Sequence, residues 1–143
     1  SLYASSVAGS TRSNEVGRLF QIDASSGKIL SQYDNVDAVG VGVFNGTTGK
    51  RLYYGGARAP EVRSLALDSR GSFVGETRTD IVLSDVQPYL DLRGRRIVFP
   101  APTTDMTVRA VEFNYNLVAM SETRQENYQF TYDPENDGWS IAE

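Results

Sequence analysis

The sequence predicts an all-β fold: an antiparallel meander of short strands grouped into four-stranded, propeller-like blades. Three observations support this prediction. Turn motifs recur at a nearly constant interval, and the segments between them are rich in β-branched and aromatic residues with partial alternation. In addition, no window of the chain combines a helical hydrophobic period with helix caps.

The turns open with Asp or Asn and close with Gly or Asn. Asp and Asn side chains bond to their own backbone, and Gly tolerates a positive φ, so these residues favour tight turns. If Asn116 stands in for glycine, the closing positions are 27, 49, 71, 94, 116 and 138, which lie 22 or 23 residues apart. We therefore expect turns at 23–27, 45–49, 68–71, 91–94, 114–116 and 133–138.

Alternate turns resemble each other more than neighbours do. The segments that precede one class of turn, 18–23, 63–68 and 109–114, each begin with Arg and end with Asp or Asn. The repeat is therefore two hairpins of about 45 residues together, the length of a propeller blade. We predict one domain, 1–143, with a partial blade at 1–34, blades at 36–78 and 79–123, and a partial blade at 127–143.

Two other all-β architectures fit parts of the pattern. A β-solenoid would place one rung at each turn, and a β-sandwich would use the same short strands. About three blades are too few to close a ring, since propellers have at least ~4. The open strand edges then require more chain or more subunits to cover them.

The segments 17–30 and 44–52 carry a family resemblance. Both have a strand that ends in Asp or Asn, a small turn that ends in Gly-Lys, and apolar residues soon after. This pattern resembles the hairpins of quinoprotein-type and YVTN-type β-propeller repeats, which implies a propeller scaffold. Ile29 and Leu30 stand where the quinoprotein repeat has tryptophan. The resemblance therefore implies no quinone cofactor, and we expect no cofactor.

Composition excludes several classes of function. The chain has no Cys and no His, so it cannot build a disulfide, a cysteine-ligated zinc site or a Ser-His-Asp triad from its own residues. The formal net charge is −4 and no basic cluster stands out, so we expect no nucleic-acid partner. No apolar run approaches the ~18 residues of a membrane helix, so we expect no membrane insertion.

Acidic residues at the predicted links between blades are candidate metal ligands. Asp37, Asp80 and Glu126 would gather on the face with the long loops. Converging carboxylates could hold Ca²⁺, which takes six to eight oxygen ligands. The alternative is that these residues are solvated and only keep the strand ends out of the core.

Polar residues on the predicted long loops are candidate binding residues. The loop 4–16 contributes Arg12 and Asn14, and the equivalent loops contribute Arg58 and Asp105. Together they could form a polar surface for a glycan or a protein. The alternative is an ordinary exposed loop.

These observations favour a non-catalytic β-repeat scaffold for assembly or binding. We expect it in an extracellular or particle-like structure, such as a secreted protein, a surface filament, or a virion or phage tail component. The expected partners are other protein subunits, either in a homo-oligomer or as the remainder of a longer chain. The alternatives are a propeller-type enzyme, similar to a lactonase or a glycan hydrolase and dependent on Ca²⁺, and a lectin-like module.

Overall fold

The structure is a computed structural model that describes residues 1–6, 17–83, 89–90, 96–97, 105–112, 114–123 and 125–141. Within these residues every regular element is a β-strand, so the all-β prediction is confirmed. The part of the chain that the structure describes contains no helix able to cross a membrane.

The strands form three antiparallel sheets and one short hairpin. The first sheet contains β1 (Leu2–Ser6), β2 (Gly17–Ile22) and β3 (Ile29–Val36). The second contains β4 (Val39–Gly46), β5 (Gly49–Gly55), β6 (Glu61–Leu67) and β7 (Phe73–Val82). The third contains β10 (Thr107–Glu112), β11 (Asn116–Ser121), β12 (Glu126–Asp133) and β13 (Gly138–Ile141), and β8 (Tyr89–Leu90) pairs with β9 (Arg96–Ile97).

Each of the three sheets is a meander in which consecutive strands are neighbours. All pairings between named strands are antiparallel. Successive rungs of a β-solenoid would instead run parallel, so the solenoid alternative does not fit these pairings.

The strands group into sheets differently from the predicted blades. The first four-stranded sheet, 39–82, covers most of the predicted blade 36–78, but β7 continues as one strand past residue 78. Strands β10 and β11 share a sheet with β12 and β13, across the predicted gap after residue 123. Turn chemistry defines each hairpin locally, whereas packing decides which hairpins share a sheet.

The strands that the sequence repeat aligns occupy different places in their sheets. β2 is the second strand of three, β6 the third of four and β10 the first of four. Their shared Arg therefore has different surroundings in each sheet. Arg18 pairs with Asp34, Arg63 pairs with Glu61, and Arg109 donates to the Met120 sulfur.

The turn at 23–27 has the predicted chemistry. The Asp23 carboxylate accepts hydrogen bonds from the backbone N–H of Ser25 and from the hydroxyls of Ser25 and Ser26. Gly27 has a φ of 74° and donates its N–H to the Asp23 carbonyl. The turn at 68–71 repeats this arrangement with Asp68 and Gly71, whose φ is 82°.

In two other turns the positive φ lies on a different residue from the one predicted. At 114–116 it lies on Tyr115, with a φ of 71°, and Asn116 already begins β11. At 133–138 it lies on Asp137, with a φ of 49°, and Gly138 begins β13. The predicted turn 91–94 lies outside the described residues.

The second sheet is the middle layer of a stack and has buried side chains on both faces. Leu52 and Tyr54 pack toward the first sheet, while Tyr53 between them packs toward the third. All three are at most 1% exposed. This arrangement explains why Leu52, Tyr53 and Tyr54 follow one another in β5 without a charged residue between them.

The first strands of the three sheets lie side by side, with β4 between β1 and β10. Glycine permits the close contact on the β10 side. A Cβ added to Gly40 would overlap the Val108 carbonyl oxygen, and one added to Gly42 would overlap the Val111 side chain. Here the second and third sheets therefore meet almost backbone to backbone.

Candidate functional site

The outer face of the first sheet, which points away from the second sheet, is largely apolar. Leu2, Ile22 and Ile29 lie directly opposite one another on β1, β2 and β3. Leu2 and Ile29 are more than half exposed, and so is Leu30, which has no partner residue because the register shifts between Gln21 and Ile22. Contiguous exposed apolar surface of this kind marks interaction sites.

The same face continues into half-buried apolar residues and one ion pair. Ala4 lies opposite Phe20, and both belong to this outer row. Arg18 and Asp34 form a salt bridge of 3.3 Å beside it, and both side chains are more than half exposed. Gln32 lies opposite Phe20 on β3, is exposed, and donates to Asp34 at 2.6 Å. We call this surface, formed by residues 2, 4, 6, 18, 20, 22, 29, 30, 32 and 34, the open face.

The outer face of the third sheet has a different chemistry. On β12 the buried residues Tyr128, Phe130 and Tyr132 alternate with exposed polar residues that point away from the core, namely Asn127, Gln129 and Thr131. Such alternation is typical of a sheet with one face in solvent. The same face places the half-buried Val118 and Met120 of β11 opposite Gln129 and Asn127. Among the described residues of these two outer faces, the exposed aliphatic side chains lie on the first sheet.

Two of the predicted site residues, Asp37 and Asp105, hold loops in place. Asp37 precedes β4, and its carboxylate accepts hydrogen bonds of 2.9 Å from the backbone N–H groups of Ala57 and Arg58, in the loop between β5 and β6. Asp105 precedes β10 and accepts from the N–H groups of Glu122 and Thr123, in the loop between β11 and β12. Both four-stranded sheets thus carry an acid before the first strand that binds the loop between the second and third strands.

The two loop regions are also joined to each other. The backbone N–H of Met106, next to Asp105, donates to the Gly56 carbonyl at 2.6 Å. The sequence prediction assigned Asp37 to a metal and Asp105 to a binding surface. In the structure both carboxylates accept hydrogen bonds that fix the long-loop end of the stack.

Asp105 provides a pH-dependent test of this arrangement. Burial alone would raise its pKa, but hydrogen bonds from Thr123, Ser121 and the backbone outweigh burial and lower the pKa. A lowered pKa in the folded state stabilises the protein above the ordinary aspartate pKa, and this contribution is lost as the pH falls through the folded-state value.

We expect Asp105→Asn to lower the free energy of unfolding at about pH 7 by about 1–3 kcal/mol, because it removes an acceptor from buried donors. The difference from the unsubstituted protein should shrink as the pH falls toward about 3, below the ordinary aspartate pKa. Urea denaturation across this range measures it, with the exposed Asp34→Asn as control. A difference that does not change with pH would contradict the assignment.

The predicted metal ligands are not gathered at one place. Asp80 lies between the second and third sheets, where it accepts from Ser64 and Arg78. Glu126 begins β12 and accepts a hydrogen bond of 2.9 Å from the Tyr128 hydroxyl. Among the described residues, no group of three or more acidic side chains could hold a metal ion.

The remaining predicted binding residues are only partly described. Arg58 lies in the loop between β5 and β6, where its backbone N–H donates to Asp37. Arg12 and Asn14 lie outside the described residues. The predicted polar surface is therefore represented by Arg58 and Asp105 alone, on separate loops.

A cavity of about 210 Å³ lies beside Asp37, between the first and second sheets. Residues from β3, β5, β6, β7 and the connecting loops line it: Asn35, Val36, Asp37, Tyr54, Gly55, Gly56, Ala59, Glu61, Arg63 and Thr77. Arg63 donates to the Thr77 hydroxyl at 3.0 Å and to the Glu61 carboxylate at 3.3 Å.

The sequence prediction did not identify the open face or the cavity. The sequence contained one sign of the open face, the adjacent apolar pair Ile29 and Leu30. Successive side chains of a strand point to opposite faces, so a strand with one buried face leaves at least one of the two exposed. The cavity had no such sign, because Tyr54, Arg63 and Thr77 come together only through sheet pairing and packing.

Comparison of the chain with protein-family models, curated proteins and solved structures finds no match.

Proposed function

We propose that this chain is a non-catalytic β-sheet scaffold that assembles through the open face of its first sheet. The observation that carries the proposal is the exposed apolar row of Leu2, Ile29 and Leu30 on the outer face of the first sheet. Each of the two existing interfaces buries apolar faces of adjacent sheets. Covering the open face with another sheet would extend the same kind of contact.

The occupant we propose is a second copy of this chain, related by a two-fold axis. The open face carries Arg18 and Asp34 side by side, so two copies bring opposite charges to one interface without net repulsion. A head-to-tail contact would place apolar residues against Asn127, Gln129 and Thr131 on the third sheet. A self-complementary contact buries apolar surface on both sides.

The propeller-type repeat is part of this proposal. Its support is the pair of four-stranded meanders, the face-to-face packing of the sheets, and the neighbouring first strands β1, β4 and β10. An extracellular or particle-like setting stays a prediction. The calcium-dependent enzyme is the weaker alternative, because Asp37 and Asp80 are engaged in separate hydrogen-bond networks.

Sedimentation velocity over a range of protein concentrations tests the proposed assembly. We expect the unsubstituted chain to self-associate, and Leu30→Glu to weaken association by about tenfold or more, because it places a charge in a desolvated apolar contact. Gln129→Glu is the matched control: it adds the same charge to the outer face of the third sheet and should leave association unchanged.

Two results would contradict this function. One is a monomer at every concentration tested, and the other is an equal loss of association in Leu30→Glu and Gln129→Glu. Thermal denaturation of each variant shows whether it is folded. Leu30 is exposed, so we expect its replacement to leave the monomer folded.

A further inference from the structure

The cavity between the first and second sheets has the chemistry of a small-molecule site that is separate from the open face. Its walls combine carboxylates from Asp37 and Glu61, a guanidinium from Arg63, and hydroxyls from Tyr54 and Thr77. Concave sites that bind small molecules place a few polar groups in a mostly apolar wall. Val36 and Ala59 contribute apolar side chains to the lining, and Gly55 and Gly56 contribute only backbone.

Charge limits what this cavity would accept. Two acidic side chains and one basic one give the lining a formal charge of −1, which disfavours an anion. Each charge is also already engaged. Arg63 offsets the charge of Glu61, and each Asp37 oxygen already accepts a backbone N–H, so the two carboxylates do not converge as a cation site.

A neutral ligand with hydroxyl groups matches the remaining capacity. A carboxylate oxygen has about two acceptor positions, so Asp37 and Glu61 keep lone pairs beyond the bonds they make. The guanidinium of Arg63 has five donors, and its contacts with Glu61, Thr77 and the Tyr54 hydroxyl leave part of this capacity unused. A ligand hydroxyl both donates and accepts, so it can bond to either kind of group.

Size limits the ligand further. The cavity volume of about 210 Å³ lies below the range of roughly 300–1,000 Å³ typical of sites for drug-sized ligands. It therefore suits one small polar ring rather than an extended molecule. Tyr54 lies behind the wall, where it is 1% exposed, and its hydroxyl bonds to Arg63 and Thr77 and so holds these two side chains in place.

We propose that this cavity binds a single neutral sugar unit, with Arg63, Thr77 and the carboxylates as hydrogen-bonding partners. The site does not depend on self-association, because its lining comes from the first and second sheets of one chain. Loss of assembly in Leu30→Glu would leave it intact, so the two proposals fail separately.

Saturation-transfer NMR with free glucose, galactose and N-acetylglucosamine, each at millimolar concentration, tests the site. We expect transfer to at least one of these sugars, and Thr77→Val should weaken its binding by about tenfold, since it removes one hydroxyl without changing the side-chain shape. Arg63→Met should weaken sugar binding by at least as much. Arg109→Met, which removes an exposed guanidinium on the third sheet and outside the cavity, is the control and should bind normally.

Inorganic phosphate is the competing probe in the same experiment. Displacement of the sugar by phosphate, or binding of phosphate alone, would identify an anion site and overturn the proposal. Absence of transfer to all three sugars would overturn it too, as would undiminished binding in both Thr77→Val and Arg63→Met. Circular dichroism of each variant shows that a loss of binding does not come from unfolding.

Discussion

Replacing Gly40 by alanine is expected to lower the free energy of unfolding by about 3 kcal/mol or more. Two costs add. Gly40 has a φ of 72°, where alanine is strained, and its new Cβ would overlap the Val108 carbonyl oxygen on β10. Because that contact is with backbone, no side chain can rotate away. The sheets must separate, which loosens the core around Phe44 and Phe130.

Gly75→Ala is the matched control for this prediction. Gly75 also lies in a strand where the register shifts, and its φ is 75°, but no atom lies within 4 Å of the added Cβ. It should therefore cost only the strain of the left-handed conformation, about 1–2 kcal/mol. Urea denaturation of both variants isolates the contact with β10. If the two variants lose the same free energy of unfolding, the added Cβ at position 40 is accommodated beside β10 at no extra cost, which would contradict this prediction.

The sequence predicted those parts of the fold that depend on neighbouring residues. Asp23 and Gly27 form the expected turn because every bond in it spans five residues or fewer. The same reasoning was wrong about which residue of the turn 114–116 has the positive φ, because it is Tyr115 and not Asn116. A bulky residue takes the positive φ there, while its ring stacks on that of Tyr132 and its carbonyl accepts the Tyr132 N–H. A tertiary contact thus overrides the local preference for Asn.

The grouping of hairpins and the roles of the acids were beyond local reasoning. Asp37 binds N–H groups 20 and 21 residues away, and Asp105 binds N–H groups 17 and 18 residues away. A carboxylate placed for a metal and one placed for a backbone loop look alike in the sequence. What distinguishes them is the position of the loop, which follows from sheet pairing. The all-β class needed no such information, because it depends on periodicity and turns.

A charged network joins the second and third sheets at the turn end of the stack. Arg78 donates to Asp80 at 2.6 Å and to Asp137 at 2.9 Å, and the side chains of the two acids are 2% and 12% exposed. Asp137 also accepts from Thr48 at 2.6 Å and from Tyr132 at 2.5 Å. Burial would raise the pKa of Asp137, but the hydrogen bonds from Thr48, Tyr132 and Arg78 outweigh it and lower the pKa.

We therefore expect Arg78→Met to lower the free energy of unfolding by about 2–3 kcal/mol at neutral pH, because it leaves two buried carboxylates without a counter-charge. This lies at or below the roughly 3–5 kcal/mol of a fully buried pair, because Arg78 is 35% exposed and solvent screens part of the interaction. Arg18→Met is the matched control. It removes the same group from an exposed pair and should cost about 0–1 kcal/mol.

The pH dependence separates a charge effect from a packing effect at Arg78. Because the folded-state pKa of Asp137 is lowered, its paired form stabilises the protein above the ordinary aspartate pKa and loses this contribution as the pH falls through the folded-state value. In Arg78→Met the Asp137 carboxylate becomes protonated in acid, which relieves the cost of burying its charge. The stability gap between the unsubstituted protein and Arg78→Met should therefore narrow toward low pH. A gap of constant size would mean that the packing of the guanidinium, and not its charge, accounts for the loss.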